Sequence, residues 1–238
     1  MRASCIGKIV FYHDSFSELN LPSWQTKLSR TYQNTNSSKR TVKSTKMNFL
    51  AHLYLSGENE KVKVGNFIGD FVKGNQLEEY HPDIQFGIRL HREIDSFTDS
   101  HPVVLESKTR LRPTFGHYSP VIVDVYYDHF LAKNWSYFSS VELEAYTTQF
   151  YTMIANYSDV VPPAVNHMLL YMKEKNWLYN YQFIDGIDRA LSGMSKRTKF
   201  NSKMELAAAS LQAHYADFEE EFTRFFPDLQ KHTQKILE

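Results

Sequence analysis

A chain of 238 residues, 42% hydrophobic and 15% aromatic, can build one sizeable core and does not require two domains. Its lone cysteine, Cys5, excludes an internal disulfide and any cysteine-rich metal site, and so predicts a reducing, cytoplasmic setting. Basic and acidic residues balance at 27 each, yet residues 1–46 hold eight basic against two acidic groups; the acidic remainder argues against general nucleic-acid binding, and no apolar run reaches the roughly 18–20 residues of a membrane span.

The stretch from Ser29 to Lys46 is nearly all Ser, Thr, Asn, Gln, Lys and Arg, without periodicity. Such a segment buries too little apolar area to offset its ordering entropy, so residues 1–46 are predicted to be a disordered extension. Two origins fit a basic, serine-rich, acid-poor leader: an organelle transit peptide, or an upstream in-frame extension with Met47 as the natural start. Neither gives the segment a catalytic role, and its His13-Asp14 pair is read as coincidence.

From Met47 to Glu238 the pattern predicts a single all-α domain of eight or nine helices. Met47–Leu55 and Val62–Val72 are apolar segments split by a turn at Gly57-Glu58-Asn59. Pro82 opens a helix that His101-Pro102 ends. Another runs from about Val103 to Leu111. Ser119-Pro120 reads as an N-cap followed by proline at N1, starting a helix over Val121–Trp135. Ser139-Ser140-Val141-Glu142 reads as a capping box for a helix through about Tyr157. Pro162-Pro163 starts the next, and Phe183–Met194 and Met204–Phe226 complete the set.

Chemistry concentrates on three of these helices. His91, Asp95 and Asp99 are spaced four apart, which stacks an imidazole and two carboxylates on one helical face at about 6 Å per turn. A solvated stripe paired with Arg92 and Lys108 is the plain alternative. Asp124, Asp128 and His129 lie inside the apolar run from Pro120 to Leu131, where an unpaired charge is costly to bury; a shared metal between the two helices supplies the partner. Asn66 and Asp70 repeat the spacing beside Gly65 and Gly69, with glycine-mediated helix packing as the rival explanation. His52 sits on an apolar helix, where a hydrogen-bonded core role competes with ligation.

Carboxylates and imidazoles without a thiolate suit Mn2+, Mg2+ or Fe2+ better than a structural zinc. Such a metal polarises a phosphoryl oxygen and lowers the pKa of a bound water, and Arg89 or Arg92 can neutralise a phosphate oxygen. The reaction class is metal-assisted hydrolysis of a phosphate ester.

At these residues the chain resembles a known family, the acyl carrier protein phosphodiesterases. Four ordered blocks carry the likeness: Met47 to Leu53, Gly65 to Asn75, Gly87 to Asp99 and Asp124 to Leu131. The likeness extends over nearly all of 47–238 and begins at Met47, in keeping with the extension reading of 1–46. It implies hydrolysis of the phosphodiester joining 4′-phosphopantetheine to a serine of acyl carrier protein, within fatty acid biosynthesis. It also implies manganese dependence and kinship with the all-α HD-type metal phosphohydrolases. The chain departs from that wider signature, because its body has no adjacent His-Asp pair, only His91 with Asp95 and the reversed Asp128-His129.

On this reading the metal sits among Asp70, His91, Asp95, Asp128 and His129, Arg92 stabilises the charge at phosphorus, and His52 or His129 protonates the leaving serine. An acidic carrier needs a basic face to steer it. Arg189, Lys196, Arg197 and Lys199, with Lys203, form a run without an intervening acid, and Lys108, Arg110 and Arg112 form another; solvated surface is the alternative for both. Two other functions compete: a metal phosphohydrolase acting on a small nucleotide or alarmone, and a non-catalytic helical carrier-binding protein.

Overall fold

The structure, a computed structural model, describes residues 49–238, all within one compact unit spanning Lys43–Glu238. The predicted extension, with Cys5, His13-Asp14 and the Met47 start, lies outside the described residues. Eleven α-helices and five short 3-10 turns make up the described chain, which contains no β-strand. None of the helices is long and apolar enough to cross a membrane.

Five helices position the site or its supports. Phe49–Tyr54 (α1) is only six residues long. Asn59 caps Glu60–Ile68 (α2) by accepting from the Lys61 and Val62 amides. A 3-10 turn over Gly69–Phe71 follows directly. Pro82–Ser100 (α3) starts with proline at N1, its cap His81 accepting from the Asp83 amide. Pro102–Phe115 (α4) follows the His101 stop. Ser119–Lys133 (α5) is buried at every position from Val121 to Ala132, as expected of a helix apolar all round. It is the central rod, touching α1, α4 and the helices Ile184–Ser195 and Tyr215–Leu237.

The remaining helices are Leu143–Ala155 (α6), Pro163–Glu174 (α7), Trp177–Asn180 (α8), Ile184–Ser195 (α9), Ala207–Ala213 (α10) and Tyr215–Leu237 (α11). The long aromatic stripe of α11, Phe218, Phe222, Phe225, Phe226 and Leu229, is buried at helical spacing. Phe222 and Phe226 stack at 5.0 Å, and Tyr54 of α1 lies 5.9 Å from Phe226.

Three local expectations need correction. Ser119 is not an N-cap: it already has helical dihedrals, and its hydroxyl donates to the Gly116 carbonyl. A 3-10 turn, Gly116–Tyr118, runs straight into α5, entered through Gly116 at φ 55°. The capping box at 139–142 does not form, because the Trp135 indole N–H donates to the Val141 carbonyl and α6 starts only at Leu143. The single helix expected over Met204–Phe226 is a 3-10 turn, α10 and α11, broken at His214, and α11 continues through Pro227 because Leu229 and Thr233 extend its buried face.

Helices α2 and α3 pack backbone against backbone. A Cβ added at Gly65 would lie 2.1 Å from the Ile84 carbonyl oxygen, and one at Gly87 would lie 2.2 Å from that of Val62. Backbone meets backbone there, and only hydrogen fits. Helix packing is thus what Gly65 serves. Gly87→Ala is expected to destabilise the fold by about 1–3 kcal/mol through this overlap, read from the urea midpoint; an unchanged midpoint would refute the close approach.

Candidate metal centre

The α2–α3 contact delivers the first two groups. A Cβ at Gly69 would lie 2.3 Å from Cγ of His91, so the bare backbone at the end of α2 leaves room for that ring. His91 Nδ1 donates to the Asn66 main-chain oxygen at 2.8 Å. His91 Nε2 faces Asp70 Oδ1 at 3.6 Å and Asp95 Oδ2, one turn along α3, at 3.7 Å. The spacing of His91 and Asp95 in the sequence therefore does place both on one face.

The second imidazole comes from α1. The His52 ring stacks on His91 with centroids 4.1 Å apart, and its Nε2 faces Asp95 Oδ1 at 3.5 Å. Its Nδ1 contacts the Asn66 side-chain oxygen at 2.7 Å. One ligand atom each from His52, His91 and Asp95 lie within 4.8 Å of one another. Both histidines are buried, whereas the carboxylates of Asp70 and Asp95 keep partial access to solvent, at 23% and 19%.

This donor set fits a divalent cation. The Nε2 atoms of His52 and His91 are buried without a hydrogen-bond partner among the described residues, while each Nδ1 is engaged. Orphaned buried nitrogens carry a cost that a metal removes. Burial, then the neighbouring His91, lowers the His52 pKa, and metal ligation needs the neutral imidazole. Ligand distances of about 2.0–2.5 Å fit donors held less than about 5 Å apart.

Asp128 and His129 do not join this group. The Asp128 carboxyl group accepts from the Leu50 and Ala51 amides at 3.0 and 2.8 Å, so it satisfies orphan donors in the first turn of α1. The partner that its buried position demanded is a helix end and not a cation. His129 donates from Nδ1 to the Tyr181 carbonyl at 2.7 Å and accepts at Nε2 from the Tyr215 hydroxyl at 2.8 Å. With both nitrogens engaged, it has no atom left for a metal. Lys108 Nζ pairs with Asp99 Oδ1 at 2.9 Å, which takes Asp99 off the metal-facing set. Asp124 is buried.

Of the arginines, Arg92 is exposed and donates to the Val72 carbonyl at 3.4 Å, two residues beyond Asp70. Arg89 bonds Gln85 on its own helix. Arg189, Lys196, Arg197 and Lys199 are all exposed along the end of α9 and the loop after it, beside Phe200 at 64% exposure. The second basic run is broken up: Lys108 is buried against Asp99, and Arg110 pairs with Glu221 and Asp217.

The family model for acyl carrier protein phosphodiesterase matches residues 47–229. The chain is 35% identical over 182 residues to an acyl carrier protein phosphodiesterase of Salmonella dublin, covering 76% of this chain and 94% of that protein. It is 32% identical over 182 residues to one of Photorhabdus laumondii, covering 76% and 92%. A Salmonella newport protein of the same description is 35% identical over the same length. No solved structure matches the chain.

Burial pushes the Asp128 carboxyl up to about 8, a shift that the two amide bonds oppose and nearby Asp124 reinforces. A carboxyl whose folded pKa lies above its unfolded value holds more protons when folded, so its stabilisation is complete at low pH and is lost as pH rises towards 8. The stability gap between the native chain and Asp128→Asn is expected to shrink from pH 5 to pH 8 by up to about 1.4 kcal/mol per pH unit. Urea titrations across that range read the slope, and a gap that widens with pH would contradict a protonated Asp128.

Proposed function

This chain belongs to the acyl carrier protein phosphodiesterase family, and on that membership we propose that it hydrolyses the phosphodiester between 4′-phosphopantetheine and a serine of holo-acyl carrier protein. The products are apo-carrier and free phosphopantetheine. The observation that carries the reading is the convergence of His52, His91 and Asp95, with Asp70 beside His91. The activity belongs in the cytoplasm, in turnover of the carrier used for fatty acid biosynthesis.

His52, His91 and Asp95, supplemented by Asp70, hold the divalent ion, for which Mn2+ suits the mixed nitrogen and oxygen donors, with Mg2+ or Fe2+ as substitutes. Bound there, the ion supplies Lewis acidity toward a phosphoryl oxygen and toward water. Arg92, tethered to the Val72 carbonyl next to the Asp70 turn, takes up charge on the phosphate. His52 is a ligand on this reading and not the acid that protonates the serine. His129 is not that acid either, because both of its nitrogens are engaged.

The carrier docks on the exposed run of Arg189, Lys196, Arg197 and Lys199. Charge complementarity steers an acidic partner, and Phe200 offers apolar surface in the middle of the basic loop.

Holo-carrier incubated with the purified protein and Mn2+ is expected to lose the mass of phosphopantetheine, read by intact-protein mass spectrometry, and chelation is expected to stop the loss. A carrier whose mass stays constant at high enzyme would end the substrate assignment. Reversing Lys196, Arg197 and Lys199 together to glutamate is expected to raise KM for the carrier by about 10-fold, with kcat within 2-fold and a flatter salt dependence. Steady-state rates at two ionic strengths check this, and an unchanged KM would remove the loop from the docking surface.

A further inference from the structure

We infer that Asn66 is the positioning residue of the metal centre: it sets the proton location on both histidines, on His52 through its side-chain amide and on His91 through its main-chain carbonyl. The inference rests on the metal-centre reading above and adds what makes the two imidazoles ready to ligate.

The orientation of the Asn66 amide follows from the chemistry of its neighbours. Its Nδ2 donates to the His52 carbonyl and to Ser56 Oγ, each at 2.9 Å. A carbonyl only accepts, and Ser56 spends its own proton on the same His52 carbonyl at 2.6 Å, leaving lone pairs towards the amide. Two acceptors on one side fix the NH2 group there, so Oδ1 is the atom 2.7 Å from His52 Nδ1. An amide oxygen only accepts, and His52 therefore carries its proton on Nδ1.

The same residue handles His91 with its backbone. Asn66 lies in the last turn of α2, where carbonyls lack a full set of helical partners; its oxygen accepts from the Gly69 amide and from His91 Nδ1. His91 is thereby also fixed as the Nδ1–H form. Both Nε2 lone pairs are left pointing toward Asp95 and Asp70. Lone pairs facing carboxylates repel unless a cation lies between them, and which ring nitrogen binds metal is set by the bond the other makes. Asn66 has no exposed surface, so no solvent competes for these bonds.

The test reads imidazole 15N shifts in the metal-free full chain, at a pH where both rings are neutral, and Mn2+ affinity by calorimetry. In the native chain both His52 and His91 are expected as Nδ1–H. Asn66→Ala is expected to convert His52 to a tautomer mixture while His91 stays Nδ1–H, since its partner is main chain, and to weaken Mn2+ binding about 10–100-fold. Asn66→Asp keeps an acceptor at Oδ1 and is expected to hold His52 as Nδ1–H, whereas Ser56→Ala is expected to leave both tautomers in place. A merely structural role would move both rings together or neither, and either result overturns the inference. Finding the proton on Nε2 of either ring in the native chain overturns it with no variant needed. Because no carrier is present, that failure is distinct from a failure to cleave holo-carrier.

Discussion

The backbone-to-backbone approach of α2 and α3 is the constraint from which the site follows. Gly65 and Gly87 remove the side chains that would hold the two helices apart. Only at that separation does the Asn66 carbonyl come within 2.8 Å of the His91 ring, and only with hydrogen at Gly69 is there room for the ring itself. The cost of three glycines in or beside helices, each less favourable than alanine by roughly 1 kcal/mol, is accepted where the site requires it. Stability then has to come from elsewhere. The buried rod of α5 and the aromatic stripe of α11 supply it.

Much of the fold was legible because it depends on periodicity and punctuation. Pro82, Pro102 and Pro163 each sit at the first position of a helix, and Asn59 caps α2. Boundaries failed where a tertiary bond outbid a local one. Trp135 holds Val141 and delays α6, and the buried stripe carries α11 past Pro227. Neither partner is near enough in sequence for a capping pattern to reveal it.

The site was legible by halves. His91 and Asp95 share a helix, so their spacing is their geometry. His52 arrives from another helix, and its sequence context, a lone histidine among apolar residues, is shared with ordinary core histidines. Asp128 and His129 illustrate the converse. Carboxylate and imidazole in an apolar run correctly signal a buried partner, but the signal does not say whether that partner is a cation, a helix end or a carbonyl. Here the amides of Leu50 and Ala51 and the carbonyl of Tyr181 fill the role. Asn66 was visible as the partner of Asp70 at helical spacing beside two glycines; its reach to two rings depends on the helix crossing.

The brevity of α1 has a consequence for assembly. Six residues are too few to hold a helix in water, so the shape of this segment is borrowed from Asp128, far along the chain, and from the aromatic wall that receives Tyr54. His52 therefore has no defined orientation until distant parts of the polypeptide have come together. Capture of a cation by this group would be coupled to completion of the tertiary structure, and an ion that selects the finished site would also strengthen the chain against unfolding in proportion to the logarithm of its concentration.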